Sequence, residues 1–264
     1  METSGVPEPR VLIVEPAEEL RETLTIALSE EGYLPFAVAS FEAAHDLLDT
    51  HTFEFVLADL FVGAVQPGTE QACKLQRRAE PTPVGLLTTQ KLSAEEAQAQ
   101  GFVFLVQMPF DLGELLGLIA ASMHRSFTED QARQVAVLER VFAALNNSDL
   151  DTAVSFFSED VVYYPVRYFL LSGVKKLQGR TAFRARLEQV FEVLPNLRFE
   201  GLLVYGRPKG LAARYVCRWS AEDGTQRQLT ATTLLRFRGD QIAQVGVWMN
   251  SNRLGQLLEG FNGG

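Results

Sequence analysis

Asp59 closes an apolar run, Phe53-Glu-Phe-Val-Leu-Ala-Asp59-Leu60, and two glycines, Gly63 and Gly68, follow it. A buried strand that ends on a carboxylate delivers that group to the carboxyl edge of a sheet, where open α/β folds bind ligands and do chemistry. A carboxylate held there has the chemistry of a phosphoryl acceptor. A second set of side chains lies far downstream. Alternation along a strand puts Tyr215, Cys217 and Trp219 on one face, and Trp248 with Asn250 on one face of another. Tyr163 and Tyr164 are adjacent, so one of them points inward. These residues suit either a neutral, largely aromatic pocket for a small hydrophobic ligand or the packed core of a small domain. Histidine chemistry is not available to them, because no histidine follows His124. His45 and His51 sit with His124 on or beside predicted helices, away from Asp59.

The elements that position Asp59 read as a regular alternation. Val11–Val14, Leu34–Val38, Phe53–Leu60, Pro83–Leu87 and Phe102–Val106 are strand patterns. Between and after them come helix patterns over Ala17–Glu31, Ser40–Leu48, Glu70–Arg78, Ser93–Gln100 and Leu112–Met123. Ser40 is placed to cap its helix. Five strands alternating with five helices imply an α/β, doubly wound parallel sheet.

In this order, Val-Leu-Ile-Val14, Gly-Tyr33, Ala-Asp59-Leu, Pro83-Val-Gly-Leu-Leu-Thr88 and Pro109-Phe-Asp111 resemble a response-regulator receiver domain over residues 9–125. The resemblance implies a flavodoxin-like fold with Asp59 as phosphoacceptor and Thr88 as the switch hydroxyl. It implies a magnesium site built on Glu15 and Asp59, and a histidine kinase or regulatory protein as partner. Two positions depart from the pattern. The expected acidic pair reads Glu15-Pro16, and the expected lysine is Met108, which has no charge to offer phosphoryl oxygens. The site is thus that of a degenerate, or pseudo-, receiver.

After the polar join Arg125-Ser-Phe-Thr128-Glu-Asp, the pattern changes. Gln131–Leu145 is an amphipathic helix, Leu150–Phe157 a short one, and a third opens at Gly179-Arg-Thr181. Strand patterns cover Val161–Tyr164, Phe199–Tyr205, Leu211–Ser220, Gln228–Arg238 and Ile242–Met249. Helices followed by a meander imply an α+β domain. The phrases Val137–Asp149, Phe156–Tyr163, Leu177–Phe183 and Asn252–Gly260 resemble the nuclear-transport-factor-2-like superfamily and its SnoaL-like branch. That resemblance implies a cone-shaped domain with a curved, mostly antiparallel sheet, and a homodimer through it. The division expected is 1–126 and 127–264.

An isomerase or cyclase of that superfamily needs a pocket acid or base. The weak candidates are Asp160, Tyr163, Tyr164, Asn250 and Asn252. Tyr164 stands before Pro165 where isomerases carry a carboxylate, and Asp160 reads as a turn residue, so catalysis is disfavoured. Charge is split: residues 1–125 carry 7 Lys/Arg against 19 Asp/Glu, and residues 126–264 carry 17 against 14. An acidic first half and the lack of a basic cluster argue against nucleic acid. Cys73 and Cys217 lack metal-ligand spacing and no apolar run spans a membrane, so a cytoplasmic protein is expected. The reading is a signal-transduction protein, with a receiver-controlled enzyme or a non-catalytic dimeric scaffold as alternatives.

Overall fold

The computed structural model describes residues 8–60, 69–89, 92–123, 127–164, 176–221 and 223–249, with side chains to residue 247. The chain divides into two compact units. The first comprises residues 1–110, 122–124 and 207–209, and the second comprises 111–121, 125–206 and 210–264.

In the first unit, β1 (Arg10–Val14), β2 (Leu34–Val38), β3 (Phe55–Asp59), β4 (Val84–Thr88) and β5 (Phe104–Gln107) form a parallel sheet in the order β2-β1-β3-β4-β5. The connections carry α1 (Glu18–Glu30), α2 (Phe41–Thr50), α3 (Thr69–Ala79) and α4 (Ala94–Ala99). Every residue of β3 and β4 is buried. Leu12, Val14, Val56, Ala58, Val84 and Leu86 form one core with Ala44 of α2, Leu75 of α3 and Ala97 of α4. The alternate residues Ile13, Phe55, Leu57 and Leu87 are just as buried. Burial on both faces explains why these strands read as continuous apolar runs. Gly85 is dictated by packing: a Cβ there would lie 2.4 Å from the ring of Phe104, its cross-strand partner, which stacks on Phe55 at 5.6 Å.

Two helix starts are built from side chains. Ser40 accepts from the Ala43 amide, and Ser93 exchanges hydrogen bonds with Glu96 in a capping box. The other end of α1 is satisfied from far along the chain. Arg207, fully buried, pairs with Glu31 at 2.8 Å, and Lys209 Nζ donates to the Glu30 carbonyl at 2.8 Å. Cations belong at a helix C-terminus, where carbonyls lack partners.

The second unit contains α5 (Leu112–Ser122), α6 (Glu129–Asn146), α7 (Leu150–Ser155), β6 (Phe157–Tyr164), β7 (Leu177–Gln178), α8 (Arg180–Val193), β8 (Arg198–Arg207), β9 (Gly210–Ser220), β10 (Gln226–Arg238) and β11 (Gln241–Met249). The last six strands form a mixed sheet, β7-β6-β11-β10-β9-β8. β6 runs parallel to β11, whereas β9, β10 and β11 are successively antiparallel. Leu138, Val141 and Leu145 of α6, with Val154 of α7 and Phe183 of α8, close over one sheet face at Ala213, Tyr215, Ala231 and Leu235. Burying each of the leucine, valine and phenylalanine side chains among them is worth about 1.5–3 kcal/mol. β6 begins four residues before the expected strand, so Asp160 stands in a strand rather than a turn. Pairing of Phe157 with Ile242 extends the strand through Ser158-Glu-Asp160, whose own strand preference is low.

Candidate functional site

Register brings three polar side chains to the carboxyl edge of the first sheet. Val14 pairs with Ala58, so Glu15 emerges beside Asp59; Asp59 pairs with Leu87, so Thr88 emerges on its other side. All three are buried: Glu15 is 1%, Asp59 5% and Thr88 0% exposed. Thr88 pairs with Gln107, and the Met108 amide donates to the Thr88 carbonyl at 2.7 Å. Met108, half-buried, thus stands next to Thr88 with a thioether and no charge. The loop containing Gly63 and Gly68 lies outside the described residues.

Glu15 is the unusual member. Its Oε1 accepts from the Ala17 amide at 2.8 Å, while Oε2 is buried with no donor among the described residues. Burial above all, together with the Asp59 carboxylate, raises Glu15 to about 7, against the pull of the Ala17 amide and of Arg21. A neutral Glu15 avoids setting two buried anions side by side. The orphaned oxygen and the adjacent carboxylates also fit a magnesium ion that keeps most of its waters. Among the described residues no cluster of three or more His, Cys, Asp or Glu side chains is placed to hold a metal.

The second set of residues separates. Tyr215, Cys217 and Trp219 share the inner face of β9 and are buried in the core. The Tyr215 hydroxyl bonds Thr233 at 2.8 Å, and its ring packs edge-on against Phe142 and Phe199. Burial pushes the Cys217 thiol up to about 12. Tyr163 points inward against Phe183, while Tyr164 is 40% exposed. Burial raises the Tyr163 phenol, partly offset by a hydrogen bond from Arg186. Trp248 holds the register position opposite Thr232, whereas Tyr215 pairs with Ala231, one step away on the other face. The Trp248 side chain, Asn250 and Asn252 lie outside the described residues.

Asp160 is exposed and makes a forked pair with Arg238, with contacts of 3.1 to 3.2 Å. The Arg238 guanidinium, hydrogen-bonded to it, holds its carboxyl below the usual range, the opposite of what a proton-abstracting base requires. Two partners were not evident in the sequence, Arg186 beside Tyr163 and Thr233 beside Tyr215. The inward period of β10 could have indicated Thr233; Arg186 lies on a helix whose rotation only packing fixes.

Residues 138–245 match the family model of the SnoaL-like domain, so the second unit carries a SnoaL-like domain. Among solved structures, the chain is similar to a candidate polyketide cyclase from Xanthomonas campestris pv. campestris, at 20% identity over 48% of this chain and 96% of that one, with a TM-score of 0.41. It is also similar to a candidate isomerase from Bacillus subtilis, at 16% identity over 52% and 98%, with a TM-score of 0.45. A third is an NTF2-like protein of unknown function from Burkholderia pseudomallei, at 14% identity over 47% and 96%, with a TM-score of 0.41. No curated protein matches the sequence.

Proposed function

We propose that this chain is a signal-transduction protein in which a degenerate, flavodoxin-like receiver is joined to a SnoaL-like domain that serves ligand binding or association rather than catalysis. The observation that carries the reading is the convergence of Glu15, Asp59 and Thr88 at the carboxyl edge of a parallel sheet ordered β2-β1-β3-β4-β5. That strand order and that edge are the ones doubly wound folds use for their sites.

The chain's own residues argue for a receiver that senses without turning over phosphate. To accept a phosphoryl group, an Asp59 oxygen must attack phosphorus as the donor's leaving group departs. Asp59 is nearly covered, its neighbour Glu15 holds a proton near neutrality, and Met108 supplies no cation to the transferred oxygens. Magnesium, when bound by Glu15 and Asp59, would supply positive charge to that edge. A histidine kinase or a regulatory protein is the partner class such an edge suits. In the second unit, the inner face offers phenol, thiol and hydroxyl groups among aromatic rings, which supports a small hydrophobic ligand over a proton-transfer substrate.

The test is intact mass after incubation with a small phosphodonor and magnesium, for wild type and Asp59→Asn. The expected result is no phosphoryl adduct on either protein. An adduct on wild type alone would replace this reading with that of a phosphorylated response regulator.

A further inference from the structure

Helix α1 is held at each end by groups from outside it. Its N-cap, Ala17, offers no side-chain bond to the first turn, and its last turn contains no basic residue. At the start, Glu15 Oε1 accepts from the Ala17 amide. Arg21, one turn in, donates from Nη1 back to the carbonyls of Glu15 at 2.8 Å and Pro16 at 3.0 Å. The first turn therefore hangs on the same residue that stands beside Asp59 at the carboxyl edge. At the other end, Arg207 and Lys209 supply the cations the helix lacks, on Glu31 and on the Glu30 carbonyl. Pro208 lies between them over Gly32. A Cβ on Gly32 would meet Pro208 Cβ at 2.9 Å, and a φ of +86° favours glycine there as well. The 13 residues of α1 set its two ends about 20 Å apart.

Residues 207–209 belong to the first unit, whereas the stems of this turn are fixed inside the second. Gln131 Nε2 donates to the Gly210 carbonyl at 3.2 Å, and a Cβ on Gly210 would lie 2.0 Å from the Leu235 carbonyl oxygen. β8 and β9 continue from these stems, so the chain itself passes a shift of the turn on to both strands.

We propose that α1 couples the carboxyl edge to the Arg207-Pro208-Lys209 turn. Arg207 and Lys209 are then positioning residues for the Glu15–Asp59 site, and the turn is where occupancy of that site is felt. The inference rests on the reading of the edge as a magnesium site. A helix is cooperative along its hydrogen-bonded length, so loosening either end is felt at the other. Coupling of this kind is reciprocal: whatever the seated turn adds to magnesium affinity at the edge, bound magnesium returns to the seating of the turn.

The experiment measures magnesium affinity of the full chain by isothermal titration calorimetry. Alongside it, NMR follows exchange of the Arg207 guanidinium protons and of the Gly32 and Tyr33 amides, which donate to Ser29 and Leu28 at the end of α1. The variants are Lys209→Ala and the paired replacement Glu31→Gln with Arg207→Met, which leaves no buried charge without its partner. Saturating magnesium is expected to slow exchange in wild type at least threefold. Both variants are expected to bind magnesium at least threefold more weakly, whereas Lys209→Arg, which keeps a donor at the helix end, binds as wild type does. Lys209→Ala alters an exposed position and decides the matter if the paired replacement does not fold. Wild-type affinity in the variants would overturn the proposal, as would magnesium that binds and leaves the exchange unchanged. If wild type binds no magnesium, the metal reading of the edge fails, and Glu15→Ala decides the coupling by itself. Faster exchange at Gly32 and Tyr33 in that variant would uphold the coupling, and unchanged exchange would overturn it.

Discussion

Glu15 holds a proton in the folded protein that the unfolded chain gives up from about pH 4.5 upward. An acid whose folded pKa is raised favours the folded state most at low pH. Its contribution declines as pH rises from 4.5 to about 7 and is level beyond. At about 1.36 kcal/mol per unit, the full swing is about 3 kcal/mol. In metal-free buffer, Glu15→Gln is therefore expected to gain stability relative to wild type across that window, read by denaturant titrations at a series of pH values. Parallel curves for the two proteins would show that Glu15 does not hold the proton. The thiols give a second expectation. Burial raises Cys217 far above neutral pH, whereas Cys73 is partly exposed with its sulfur on Gln100. A thiol reagent should label Cys73 in the native protein, with Cys217 labelled only on unfolding.

Among the elements, those whose register depends on local pattern were legible in the sequence. The Thr128 stretch reads as a helix start, and Thr128 does exchange hydrogen bonds with Gln131 in a capping box at the head of α6. Thr128→Ala is expected to cost about 1 kcal/mol, measured by thermal unfolding. Asp59, Thr88 and Glu15 could be placed because each directly ends or follows a buried parallel strand, and parallel register then aligns them. What escaped the sequence depended on partners distant in the chain. Asp160 looked like a turn residue until pairing of β6 with β11 drew it into a strand, where Arg238 holds it. The two-residue β7 exists only through its pairing with Val162 and Tyr163. Gly117 gave no signal at all, since a glycine within a helical pattern has meaning only once its neighbour Thr232 is known.

For the molecule as a whole, the two compact units are not two contiguous halves of the chain. Helix α5 belongs to the second unit, although it comes directly after the last strand of the first sheet. A protein beginning at residue 127 would leave Ala212, Thr232 and Leu234 without the helix that Gly117 lets approach them. Such a truncation is expected to melt lower and aggregate more readily than one beginning at residue 111, by differential scanning calorimetry and light scattering. Equal melting temperatures would show that α5 adds nothing to the unit. No helix among the described residues is long and apolar enough to cross a membrane.

The Glu31–Arg207 pair sets a schedule for biosynthesis. Its partners are 176 positions apart, and the arginine is almost wholly enclosed. A nascent chain leaving the ribosome can close the five-stranded sheet early, but the acid at the end of α1 then waits for a cation not yet translated. From the end of β5 to Arg207, at about 5–20 residues per second, that wait lasts roughly five to twenty seconds. Throughout it the first half of the polypeptide is an unfinished object, open to whatever chaperone or cation reaches Glu31 first.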